Sequence, residues 1–243
     1  MLREKISRKL AKFIPLETIS MKNKKPLVSF TFDDFPKSAA TRGASILEKY
    51  GYAGTFYGCG GLLGHMHDDT LIVTEEDIKA LHRGGHEIGC HTYGHIDCQR
   101  SPNELLSADL QKNKHFIEDL TGSEISSFAY PFGKIDMSSR RTVSNYYKNA
   151  RTVFPGLNAG KLCMHSLKSY SLYSNGFDLA AFEKIIKTAI DQNAWLIFYT
   201  HDVSETPAQF GCRPEEFEAI VRLINDSGLQ TVTTMNKAPE YIF

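Results

Sequence analysis

An irregular parallel (β/α) barrel of about seven units, TIM-barrel-like, is the architecture that this sequence predicts. Three observations carry the prediction. Short apolar and β-branched runs recur from Val28 onward, each followed by a segment of helical period, the alternation that builds parallel βαβ units. Roughly seven or eight such units fall in one chain of 243 residues, and that number in one domain favours a closed barrel over an open sheet. Titratable side chains follow the apolar runs directly, where a barrel gathers its strand ends into one rim. With 42% hydrophobic and 23% charged residues, the chain can build one large core.

The elements follow in order. Leu2, Ile6, Leu10, Phe13 and Ile14 share one helical stripe, with Arg3, Lys5, Arg8, Lys9 and Lys12 largely elsewhere, so residues 2–14 read as a basic amphipathic helix. Such a helix can pack on its own domain or make peripheral contact with an anionic membrane. Pro15 ends it, and Lys22 to Pro26 read as a linker. Residues 1–26 are therefore a basic N-terminal extension ahead of a main domain over 27–243. Strand 28–32 leads to a helix near 37–50. Strand 52–57 leads through a Gly-rich loop to a helix near 75–83 capped by Thr74. After strand 86–90, Ser101-Pro102-Asn103-Glu104 reads as a capping box with Pro at the first helical position, opening a helix to about residue 120. Strand 126–130, a helix near 138–147, strand 149–153, a short strand near 170–173, a helix over 179–191 capped by Asp178, strand 194–200, a helix over 214–226 and strand 229–233 complete the series.

Charge and cysteines exclude several classes. Formal net charge is zero, which gives no electrostatic case for nucleic acid. The charge is uneven: residues 1–25 carry eight Lys/Arg against Glu4 and Glu17, a net of +6, leaving −6 for the remainder. Cys59, Cys90, Cys98, Cys163 and Cys212 include no close Cys-X-X-Cys pair, which argues against a disulfide framework or thiolate zinc site. Charges interrupt the apolar residues at the N-terminus, so it does not read as a signal peptide, and no transmembrane run follows. The expected location is cytoplasmic, with membrane association through residues 2–14 as an option.

Chemistry collects at strand ends. The run Val28-Ser29-Phe30-Thr31-Phe32 closes on Asp33 and Asp34, two adjacent carboxylates that repel unless a cation lies between them or one holds a proton. Strand three ends in His91, with His95 four residues on, a spacing that puts both imidazoles on one face of a turn or helix and suits two bonds to one metal. Adding a carboxylate from strand one makes a two-His, one-carboxylate set with positions left open for water and substrate. Strand four ends in Tyr130-Pro131-Phe132-Gly133, strand five in Arg151, and the late strand in His201-Asp202. His86 starts its strand and belongs at the opposite face, His82 and His115 fall on helices, and Cys90 reads as a small buried hydrophobe. His65-Met66-His67-Asp68-Asp69 reads as a solvated loop tip, and His165 has either the substrate mouth or no role.

Thr31-Phe32-Asp33-Asp34 followed by His91-Thr92-Tyr93-Gly94-His95 resembles the polysaccharide deacetylase family, with its chitooligosaccharide-deacetylase homology domain, over roughly residues 27–235. The resemblance implies that Asp34, His91 and His95 bind a divalent metal, zinc first with Co, Mn, Ni or Fe as alternatives, and that Asp33 is the catalytic base. It also implies an irregular barrel. Two later motifs depart from the family. Its Arg-X-Pro-Tyr stands here as Ala129-Tyr130-Pro131-Phe132, without the Arg but with Phe132 at the aromatic position whose backbone N–H helps bind the oxyanion. Its Leu-X-His stands as Tyr199-Thr200-His201, keeping the general acid His201 and replacing a Leu of the acyl pocket. The Asp-Trp motif is not recognisable, which leaves His201 without an assigned orienting partner. Arg151, on the next strand after Ala129, can reach the same rim and is the expected partner of Asp33, pairing bidentately. Tyr93, Tyr130 and Tyr199 are the substrate-binding candidates.

The implied activity is metal-dependent removal of an N-acetyl group from an amino sugar, in a polysaccharide or in a nucleotide- or lipid-linked glycan precursor. A cyclic amide or imide C–N hydrolase on the same fold is the runner-up. A non-haem iron oxygenase also uses two His and one carboxylate, but its usual β-sandwich conflicts with the β/α alternation. A catalytically dead binding module conflicts with the presence of base, ligands and acid together.

Overall fold

A computed structural model describes residues 14–229 and 231–243; apart from Ile14, the basic helix expected over 2–14 lies outside them. Among the described residues seven parallel strands form the main sheet: β1 (Leu27–Asp33), β2 (Thr55–Gly58), β3 (Glu87–Cys90), β4 (Ser127–Ala129), β5 (Asn149–Arg151), β6 (Tyr170–Ser171) and β7 (Trp195–Thr200). Their spatial order is β6-β7-β1-β2-β3-β4-β5. The sheet curls on itself, because Leu167 pairs with Arg151 of β5 while β6, three residues on, pairs with β7. One short segment therefore touches both edges, and the result is the irregular seven-unit barrel. Around it lie α1 (Ala44–Lys49), which continues a π-helical turn over Ala39–Gly43, α2 (Glu75–Arg83), α3 (Asn103–Thr121), α4 (Met137–Ser144), α5 (Leu179–Asp191), α6 (Pro214–Asp226) and α7 (Ala238–Ile242).

Strand alternation sorts the side chains. Register pairs Thr31 with Thr55 and Tyr199, Asp33 with Tyr57, Tyr57 with Gly89, and Ala129 with Arg151; these residues share the barrel interior. The alternate residues face the helices. Phe30 lies 5.7 Å from Phe198 and from Phe217 of α6, and Phe32 stacks on Phe56 at 4.5 Å. Burying each such ring stabilises the fold by roughly 1.5–3 kcal/mol. Inside, Gly89 makes room for an aromatic: a Cβ there would lie 2.5 Å from the Tyr57 ring. Both faces of β1 are buried, yet it alternates Val28, Phe30 and Phe32, which face the helices, with the polar Ser29, Thr31 and Asp33, which face the interior.

The chain near 231–236 covers the N-terminal mouth. Ser29 Oγ donates to the Thr233 carbonyl at 2.7 Å and accepts from Trp195 Nε1 at 3.0 Å. Asn149 Nδ2 donates to the Met235 carbonyl at 3.1 Å, and Glu87 accepts from Thr55 Oγ1 at 2.8 Å and from Asn236 N–H at 2.9 Å. The strand expected over 229–233 is thereby reduced to one parallel bridge, Val28 with Val232, since later backbone groups engage side chains of the barrel floor. The stretch read as a linker is also held: Lys22 N–H donates to the Ile242 carbonyl at 2.9 Å, and Asn23 Nδ2 to the Asn193 carbonyl at 2.7 Å. Just before it, Ile19–Ser20 pairs antiparallel with Lys161–Leu162.

Side-chain caps hold the starts of α2, α4 and α5. Thr74 and Asp77 bond reciprocally at the start of α2, and Asp178 accepts from Ala181 N–H at the start of α5. The box expected at Ser101 does not form. Pro102 is the N-cap of α3, and Ser101 Oγ instead donates to the Asp97 carbonyl at 2.9 Å. Thr74→Ala should lower stability by about 1 kcal/mol, or roughly 2–4 °C in Tm for a chain of this size. A thermal melt checks this; an unchanged Tm would show that the Asp77 side of the box alone fixes the helix start.

Candidate active site

β1 delivers two carboxylates by two different devices. Asp33 follows Ser29 and Thr31 on the inward face, so alternation aims it into the barrel. Asp34 would point outward by the same rule, but Asp34 (φ 54°) and Phe35 (φ 62°) are left-handed. That turn brings Asp34 back over the rim, in a conformation that costs a non-glycine residue roughly 1–2 kcal/mol.

Arg151 crosses the interior from β5, and its Nη2 donates to Asp33 Oδ1. The contact is one-armed, contrary to the bidentate pairing expected, because Nη1 donates to the Thr152 carbonyl at 3.3 Å. The guanidinium also lies 4.7 Å from the Tyr199 ring centre and 5.4 Å from that of Tyr57. Burial pushes the Asp33 carboxyl up, but Arg151, with His91 and His201, outweighs it and holds the group below the usual carboxylate range. Asp33 is thus ionised at neutral pH.

Asp34 Oδ1 lies 3.5 Å from His91 Nε2 and 3.2 Å from His95 Nε2, and these three ligand atoms fit within 4.8 Å of one another. His91 follows Gly89 on the inward face of β3, and its Nδ1–H donates to the Ala129 carbonyl at 2.8 Å, which leaves the Nε2 lone pair facing Asp34. Thr92 (φ 64°) and His95 (φ 51°) are left-handed, so a looped turn brings the second imidazole beside the first; the helix alternative is not what forms. Burial lowers His91 to about 4, keeping it neutral as a ligand must be. Burial, then Asp33 and Asp68, push the Asp34 carboxyl up to about 8. Its Oδ1 is buried without a hydrogen-bond partner among the described residues. A cation would satisfy that oxygen and remove the repulsion, so the residues fit a divalent metal; a set of two nitrogens and one oxygen suits zinc and several others.

The cleft above measures about 380 Å³ and is walled by Phe132, Tyr173, Tyr199, His201 and Phe210. His201 extends the inward face of β7, with Nε2 3.7 Å from Asp34 Oδ2. Burial lowers its pKa. Its Nδ1 is buried and has no partner among the described residues, so none of them orients this ring by a hydrogen bond. Phe132 is left-handed (φ 59°), 54% exposed, and packs 4.5 Å from the His95 ring. Tyr199 lies at the wall against Tyr173, 5.5 Å away. Tyr130 lines the cleft, yet its hydroxyl is committed to the His165 carbonyl at 3.1 Å. Tyr93 is a correction: its ring faces Phe116 at 6.0 Å and lies under Lys112 Nζ at 3.7 Å, and its N–H donates to Asp109, so it packs on α3 and does not wall the cleft. His165 is occupied elsewhere, with Nε2 2.8 Å from the Tyr147 carbonyl. His67 is the residue that sequence reasoning missed. Read as part of a solvated tip, it lies 3.9 Å from Asp34 Oδ2 and 5.0 Å, ring centre to ring centre, from His95.

The family model described as polysaccharide deacetylase matches residues 20–149. YxkH of Bacillus subtilis is 24% identical over 170 residues, covering 68% of this chain and 59% of that protein. The peptidoglycan-N-acetylglucosamine deacetylase of Bacillus cereus is 28% identical over 102 residues, 42% of this chain and 44% of that one. The chain thus spans less than two thirds of the length of these curated relatives. A solved Mycobacterium smegmatis protein aligns over 94% of both chains with a TM-score of 0.69 at 17% identity. A CE4 family pseudoenzyme from Bacillus anthracis aligns over 88% of this chain and 66% of its own with a TM-score of 0.59 at 14% identity. At those identities the solved structures speak for the fold.

Arg151→Lys tests the ion pair. A Lys cannot hold the same geometry, so Asp33 should become harder to ionise. The acidic limb of the kcat/KM profile should move to higher pH, with kcat reduced and metal content unchanged. An unmoved limb with near wild-type turnover would show that another group keeps Asp33 charged.

Proposed function

The chain belongs to the polysaccharide deacetylase family, and from that premise we propose that it hydrolyses an N-acetyl group on an amino sugar, with a divalent metal held by Asp34, His91 and His95. The observation that carries this reading is the pairing of roles on adjacent residues. Asp33 is held ionised by Arg151, whereas Asp34 is raised and faces two neutral imidazoles. One carboxylate is thus suited to take a proton, and its neighbour to bind a cation.

When bound, the metal would supply Lewis acidity toward the amide carbonyl and its water. Asp33 takes the proton of the attacking water, and Arg151 holds its carboxylate in place. The Phe132 N–H donates to the tetrahedral oxyanion. His201, on the Oδ2 side of Asp34, protonates the leaving nitrogen, so the C–N bond breaks to give acetate and a free amine. Because burial lowers His201, its protonated fraction falls early as pH rises, which sets the alkaline limb. Tyr173, Tyr199 and Phe210 supply apolar walls suited to a small acyl group and a sugar face.

Acetate release from acetylated polymer, lipid-linked and nucleotide-linked sugars, each with zinc, cobalt or manganese restored after chelation, tests the reading. Ring opening of cyclic amides or imides without acetate release would transfer it to the runner-up. Asp34→Asn should lose metal and activity together, whereas Asp33→Asn should keep metal and lose about 10²–10⁴ in turnover; loss of metal in both would overturn the division of roles. His201→Ala should keep metal and slow amide substrates far more than activated acetate esters, whose leaving groups depart unprotonated. Equal losses would remove His201 from that role.

A further inference from the structure

We propose that the hairpin beside the cleft completes a second divalent-cation site, with Asp34 bridging two ions: one shared with His91 and His95, the other with His67 and Asp68. The proposal rests on the metal reading above and adds to it a site and two ligands.

The hairpin is built to hold its tip in place. Met66–His67 pairs antiparallel with Thr70–Leu71 across a turn in which Asp68 (φ 43°) and Asp69 (φ 61°) are both left-handed, a geometry that Asp tolerates. Ile72 bridges to Pro36, Val73 N–H donates to the Phe35 carbonyl at 3.4 Å, and Thr70 Oγ1 donates to the His67 carbonyl at 2.8 Å. The tip is therefore tied to the same loop that carries Asp34.

His67 Nε2 lies 3.9 Å from Asp34 Oδ2 and 3.9 Å from Asp68 Oδ2. It is buried and has no hydrogen-bond partner among the described residues. Separations of that size are too long for hydrogen bonds, yet ligand atoms that each sit about 2.0–2.2 Å from one ion stand roughly 3–4 Å apart. The ligand atoms of Asp34, His67 and Asp68 all fall within 4.8 Å of one another. The two oxygens of Asp34 divide the work: Oδ1 faces His91 and His95, and Oδ2 faces His67. A carboxylate turned this way suits a pair of ions about 3.5–4 Å apart. The second set offers two carboxylates and one imidazole, a charge balance suited to a hard or borderline dication. Asp68 is largely exposed, which gives the ion a path from solvent and makes this the more weakly held of the two. The ion would stand on the His201 side of Asp34, beside the pocket formed with Pro36, Thr70 and Phe210.

The test is manganese stoichiometry on the chelator-stripped full chain, by calorimetry and electron paramagnetic resonance. Wild type should bind two Mn²⁺ per chain, with a spin-coupled spectrum. His67→Ala and Asp68→Asn should each bind one and show an uncoupled signal, while His95→Ala loses the ion of the other set. Asp68→Asn keeps the left-handed turn and so carries the test if His67→Ala unfolds. One Mn²⁺ in wild type, lost in His95→Ala and kept in His67→Ala, would overturn the second site and leave the first standing. No Mn²⁺ in wild type would overturn both.

Discussion

The buried contact between Arg151 and Asp33 is the constraint on which the rest depends. Both side chains are almost wholly inside the barrel, where an unpaired charge is strongly disfavoured, and breaking such a pair by removing one partner costs about 3–5 kcal/mol. The pair joins β5 to β1 across the interior, spanning 118 positions in sequence. It thereby couples the closure of the barrel to the ionisation state of Asp33. Tyr199 and Tyr57 flank the guanidinium and keep water from substituting for either partner. A deeply placed cation of this kind also lets a second carboxylate stand next to the first.

That second carboxylate owes its position to backbone geometry. Ser29, Thr31 and Asp33 face inward by alternation, and only the left-handed turn at Asp34 and Phe35 lets the next residue join them. Thr92, His95 and Phe132 are left-handed too, so the rim concentrates strained backbone around the cleft. The barrel below supplies the rigidity that holds these conformations, through stacked aromatics on its outer face and hydrogen-bonded polar side chains on its inner one.

Much of this was legible in the sequence, and the reasons are physical. Apolar runs separated by helical periods announce parallel strands buried on both faces, and the caps at Thr74 and Asp178 fixed their helix starts because side-chain acceptors act locally. The convergence of strand ends is a property of the architecture, so Asp33, Arg151 and His201 could be brought to one rim before any coordinates. What failed depended on competition or on chain direction. Ser101 had two partners to choose between, the helix N–H groups and the Asp97 carbonyl, and took the latter. Tyr93 sits between two metal-ligand candidates in sequence, yet the left-handed step at Thr92 turns its ring onto α3. His67 was hidden because a His-Met-His-Asp-Asp string looks solvated; the signal was the Asp-Asp pair, a left-handed hairpin turn after which Ile72 bridges to Pro36, next to the loop that carries Asp34.

The polar floor of the barrel carries a consequence for how the chain reaches this state. Ser29, in the first strand of the sheet, finds its carbonyl acceptor at Thr233, 204 positions later, and the Met235 and Asn236 N–H groups engage Thr55 and Glu87 across 180 and 149 positions. Until ribosomal synthesis has passed those residues, the inner hydroxyls and the Glu87 carboxylate face an open, wettable lumen. Contacts of such separation form late and slowly. A nascent barrel would therefore spend its assembly as a curled but unsealed sheet, the kind of intermediate whose exposed edges invite association with other chains.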